Sequence, residues 1–140
     1  MKNLLFTIAL LVSFVSFGQS SEKYFLSAYE KAELMNYKEA IADYTKAIEI
    51  NDWFDNPNSI FQPVAYEGRA SAKLALKDNK GAIADFTKAI ELNPNFTDAY
   101  TNRGISKERV GDLNGACLDW RKAAKLGDNR AAKWIKDQCN

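Results

Sequence analysis

The sequence predicts an all-α chain: an α-solenoid of three helix-turn-helix repeats with a capping helix at its C-terminal end. Three observations carry this. Residues 38–51, KEAIADYTKAIEIN, and 80–93, KGAIADFTKAIELN, agree at eleven of fourteen positions. Within both, apolar residues recur at spacings of one, three and four, the stripe of an amphipathic helix. A looser third copy, NGACLDWRKAAKLG, occupies 114–127, 34 residues after the second. One hairpin cannot bury such a stripe alone, whereas stacked copies bury each other's.

The elements follow in chain order. Residues 1–18, MKNLLFTIALLVSFVSFG, have a basic start at Lys2, an apolar run from Leu4 to Phe17 and small residues at Ser16 and Gly18. This predicts a secretory signal peptide cleaved before Gln19, the alternative being an uncleaved anchor. The run is shorter than the roughly 20 residues a membrane span needs. No stable membrane insertion is expected after cleavage.

The first repeat spans 21–54, with helices over SEKYFLSAYEKAELM and KEAIADYTKAIEIN. Its second helix alternates small Ala40 and Ala47 with large Tyr44. The first two copies are 42 residues apart, so eight extra residues, 55–62, form an insertion. Asn56-Pro57-Asn58 is a turn signal there. Trp53, Phe54, Ile60 and Phe61 either fold back on neighbouring helices or supply partner contacts. The second repeat spans 63–96, opening on Pro63, a residue suited to a first helical turn. The third spans 97–128. Each first helix carries an aromatic, Tyr24, Tyr66 or Tyr100, and a small residue four positions on, Ala28, Ala70 or Gly104. Gly127 signals a helix end, Asp128 or Asn129 an N-cap, and Ala131, Ala132, Trp134 and Ile135 one apolar face. Residues 129–140 therefore read as the capping helix.

These residues resemble the tetratricopeptide repeat family. The resemblance rests on Tyr66, Ala70, Ala82, Phe86, Ala89 and Pro94 in the middle repeat. In the third it rests on Tyr100, Gly104, Gly111, Ala116, Trp120 and Ala123, and in the first on Tyr24, Ala28, Ala40, Tyr44 and Ala47. Met35 departs from the usual glycine between helices, and Asp52 from the usual terminal proline. The FG–Q junction and the GACLDW…C ending resemble exported repeat proteins of the Bacteroidetes. That implies a periplasmic location, the alternative being secretion.

Composition narrows the chemistry. There are 19 basic and 18 acidic residues. Without Lys2 the charges balance, and no basic excess points to nucleic acid. There is no histidine, so the commonest general base and zinc ligand are missing. No catalytic residue, metal site or cofactor is expected, and the chain reads as non-enzymatic. Cys117 and Cys139 are the two cysteines. If the cap runs antiparallel to 113–126 they meet at one height, which predicts a disulfide in an exported protein. The alternative is a reduced, buried pair. Asp43, Asp85 and Asp119 recur with Lys46, Lys88 and Lys122 three residues on, the spacing of solvated helix-face pairs.

The family resemblance implies that the first helices line a concave groove for a partner peptide or protein. It places Phe25, Tyr29, Glu33, Glu67, Ser71, Thr101, Ile105 and Arg109 there. Some members clamp the C-terminal carboxylates of heat-shock chaperones with lysine, asparagine and arginine. The corresponding positions here are Phe25, Tyr29, Gly68, Asp98 and Asn102, so the clamp is absent. The alternative function is a structural subunit of an envelope complex that self-assembles as a homo-oligomer.

Overall fold

A computed structural model describes residues 21–50 and 61–139. The signal-peptide expectation and residues 55–60 of the insertion lie outside them. The described residues form helices only: α1 (21–33), α2 (Tyr37–Ile50), α3 (Phe61–Ala75), α4 (Asn79–Leu92), α5 (Thr97–Arg109), α6 (Leu113–Lys125) and α7 (Asn129–Gln138). The chain divides into two compact units at Ser59/Ile60. Helix α3 already includes Phe61 and Gln62, so these two residues are helical rather than part of a loop. Pro63 is buried in its first turn, where a missing N–H leaves no helical bond unmade.

In the first unit, α1 packs on α2. Ala28, Ala40 and Ala47 are fully buried, which lets the helices approach, and Tyr44 fills the space beside them. Phe25 meets Tyr44 edge to face, with ring centroids 5.9 Å apart. The Ser21 hydroxyl donates to the Ala47 carbonyl at 3.0 Å.

In the second unit, α3–α4 and α5–α6 form successive hairpins, and α7 packs on α6. Phe86 lies among Ala70, Ala82, Ala89 and Ala99, and Trp120 among Ala116, Ala123 and Ala131. Each is a large ring in a socket of alanines. Truncating such a ring typically costs about 3–5 kcal/mol. Trp120 also explains Gly104: a Cβ there would lie 2.4 Å from the indole Nε1.

One turn is used four times. The backbone N–H of Asn36, Asp78, Asp112 and Asp128 donates five residues back, to Lys31, Lys73, Lys107 and Ala123. The residue before each sits at positive φ: Met35 at 60°, Lys77 at 65°, Gly111 at 89° and Gly127 at 103°. This is the Schellman ending of a helix, which favours glycine. The first two turns adopt it without glycine. Asp78, Asp112 and Asp128 then cap the next helix, accepting from the N–H of Gly81, Gly115 and Arg130.

The three recurring aspartates correct a sequence expectation. Asp43, Asp85 and Asp119 are buried, not on a solvated face. Their partners are on the preceding helix, not three residues on. Asp85 takes two bonds from Arg69, at 2.8 and 2.7 Å, and one from Lys73 at 2.7 Å. Asp119 takes the same pair from Arg103 and an ion pair from Lys107 at 2.9 Å. Asp43 is held by Ser27 and Lys31. Lys88 pairs with Glu91 instead. A buried carboxylate must be paired, and a cation 12 or 16 residues upstream faces it across the hairpin.

Candidate functional site

The sequence-predicted groove residues separate into three groups. Phe25 is buried against Tyr44, so its ring belongs to the first hairpin's core. Thr101 is fully buried, donating to the Thr97 carbonyl at 3.1 Å and to Asp128 at 2.7 Å. Ile105 packs against the Trp120 cluster. These three are structural, because the side chain in this row of a first helix meets the neighbouring helix. Tyr29, Glu33 and Arg109 are exposed.

Glu67 and Ser71 are one turn apart on α3 and only partly accessible. The Ser71 hydroxyl donates to Glu67 Oε1 at 2.8 Å. Burial pushes the Glu67 carboxyl above its ordinary value of 4.5. The Ser71 bond opposes that, the Asp98 charge on α5 adds to it, and a weaker contact from Asn102 opposes it. Glu67, Ser71, Asp98 and Asn102 therefore make one polar, net-acidic face where α3 meets α5. Among the described residues no lysine or arginine pairs with Glu67 as Arg69 does with Asp85. Asp98 is 65% exposed and touches Arg130 of α7 at 3.3 Å.

At the same end of α5, Asp128 joins two helices through Thr101, one residue before Asn102. It accepts from Thr101 and from Arg130, at 3.1 Å from Nε and 2.9 Å from Nη2. The Arg130 bonds, opposed by burial and aided by Thr101, hold its carboxyl well below the ordinary 3.8.

Sequence models of the tetratricopeptide repeat match residues 22–52 and 64–96, and a further one matches 86–117. Together these cover more than half of the chain. The chain belongs to the tetratricopeptide repeat family. Solved repeat domains agree. The first such domain of Spaghetti (RPAP3), bound to the HSP90 peptide SRMEEVD, is 26% identical with a TM-score of 0.75. The match covers 86% of this chain and 91% of that one. The Arabidopsis OM64 domain is 28% identical, TM-score 0.73, over 85% and 93% of the two chains. The first domain of human RPAP3 is 25% identical, TM-score 0.72, over 86% and 90%. No curated protein matches the sequence significantly.

The repeats of this family are a scaffold for protein interaction. Here the clamp positions of the second unit are Gly68, Asp98 and Asn102. Asp98 and Asn102 are the residues that meet Glu67. The sequence carries a signal for this: Asp98 is one helical turn before Asn102 on α5, the first helix of the repeat after the one that holds Glu67.

Proposed function

We propose that this protein is a non-enzymatic binding module that holds a partner segment on the face of α3 and α5 that carries Glu67 and Asp98. The observation that carries the reading is Glu67, a partly buried carboxylate without a cationic partner among the described residues. Folding holds it there against its desolvation cost, as expected of a recognition group. With Asp98 it favours a segment that presents a lysine or arginine. The neighbouring structure with SRMEEVD supports peptide binding as a class; the charge here argues for a ligand of opposite sign. The module works outside the cytoplasm, in the periplasm or beyond. The apolar start of the sequence supports that, and so does the cysteine pair.

The test is binding of fluorescent peptides to the mature chain, comparing lysine- or arginine-bearing segments with acidic-tailed ones. The reading expects salt-sensitive binding of the basic set, at least tenfold weaker in E67Q/D98N. Equal or tighter binding of the acidic set would overturn it. A second reading, self-assembly, draws on α1 and the turn after it, where Leu26, Tyr29, Leu34 and Met35 are all more than half exposed. Sedimentation equilibrium separates the two, since a concentration-independent monomer excludes it.

A further inference from the structure

We propose that the Cys117–Cys139 bond is a reducible latch on α7, opened by a dithiol without unfolding the rest of the chain. The structure joins the two sulfurs at 2.04 Å. They line an open cleft of about 440 Å³ with Leu113, Asn114, Leu118, Arg121 and Gln138. A permanent structural bridge is ordinarily enclosed. Here Cys139 is partly exposed on the cleft wall, while Cys117 is 6% exposed on α6.

The cleft also holds the group that such chemistry uses. Arg121 follows Cys117 by one helical turn and donates from Nη2 to the Cys139 carbonyl at 3.2 Å. A guanidinium lining the same cleft as the two cysteines would favour a thiolate formed there. Leu113 and Leu118 are exposed beside it and offer an apolar rim to an approaching reductant.

The step balances with a dithiol as co-reactant. One thiolate of the dithiol attacks Sγ of Cys139, the Cys117–Cys139 bond breaks, and Cys117 leaves as a thiolate beside Arg121. The second thiolate of the dithiol then attacks its own bound sulfur and releases Cys139. Two electrons pass to the cysteines, the dithiol's two protons follow them, and the dithiol ends as a disulfide.

What reduction changes is the hold on α7. Its ten residues are too few to persist as an isolated helix in water. Among them only Ala131 is fully buried, with Trp134 and Ile135 half-buried against Trp120. Near the other end, Asp128 stays bonded to Thr101. The released segment therefore swings and melts from Cys139 back towards the Gly127–Asp128 turn, and it stays attached there.

The experiment uses the oxidised mature protein, dithiothreitol as the probe, and no denaturant. Alkylation of freed thiols gives the rate, and hydrogen exchange gives the protection of 129–138 against 79–92. The latch expects complete reduction at a rate proportional to dithiothreitol, several-fold slower in R121Q. Exchange in 129–138 should rise at least tenfold, with 79–92 unchanged. C139S without reductant should show the same local exchange, so a poorly behaved reduced sample leaves the proposal testable. A bridge that resists dithiothreitol until urea unfolds the chain would overturn it. So would unchanged protection of 129–138 in both the reduced protein and C139S.

Discussion

Replacing Asp119 by asparagine tests the buried ion clusters at their strongest point. Asp119 is 4% exposed and meets Arg103 through two bonds and Lys107 through an ion pair. The amide keeps the shape and removes the charge, leaving two cations facing each other. Breaking a fully buried pair costs about 3–5 kcal/mol. Arg103 and Lys107 retain 15% and 20% side-chain exposure. They can turn partly to water, so the expectation drops to about 2–4 kcal/mol. Asp43 is the internal control. Its partners are a neutral hydroxyl and Lys31, which is 36% exposed, so the same change there should cost only about 1 kcal/mol. Urea unfolding of each variant, followed by circular dichroism and hydrogen exchange, gives the two values locally and globally. A second check is R103M/D119L, which removes the Arg103–Asp119 pair and should recover part of the loss. A D119N cost no greater than that of D43N would refute the reasoning, because burial and charge count would then not control the energy.

Four further outcomes follow from the geometry. Gly104→Ala should destabilise by about 2 kcal/mol or more, as overpacking does, since its Cβ would press on Trp120; thermal melts measure it. Lys77→Gly should stabilise by about 0.5–1 kcal/mol, because the left-handed strain relieved exceeds the entropy that glycine adds to the unfolded chain; Met35→Gly should do the same. Asp128 has a depressed carboxyl, so its contribution is present above the ordinary value of 3.8 and fades as pH falls below it. D128N should therefore be less stable than wild type at pH 7, with the gap narrowing in acid titrations monitored by fluorescence. Glu67 has the opposite sign: its contribution is greatest below 4.5 and is lost as pH rises through the raised value. E67Q should melt higher than wild type at pH 7 and the same below pH 4, while binding less well.

The hairpins were legible because period and residue size state the same thing. Tyr44, Phe86 and Trp120 among alanines give both the helix face and the packing partner. The turn at Met35 was harder, since its departure from glycine hides a conformation that Gly111 makes obvious. The ion clusters are not legible from spacing within one helix, because each aspartate pairs with a cation on the preceding helix. The informative register was Lys31, Lys73 and Lys107, or Arg69 and Arg103, each carried forward by the repeat together with its aspartate. The groove was legible only as a row of first-helix positions. Which of them face a neighbour depends on adjacent helices, as Thr101 shows by bonding Asp128, and periodicity along one helix does not contain that.

The central claim is that the Glu67–Asp98 face of α3 and α5 holds another protein. Photo-crosslinking in the native cell tests it most directly, with a photoreactive residue at Arg109 on α5 and a control at Lys80 on α4. The account predicts a discrete heteromeric product from Arg109, none from Lys80, and loss of the Arg109 product in E67Q/D98N. Products that are only self-crosslinks, or that appear equally from Lys80, would contradict it.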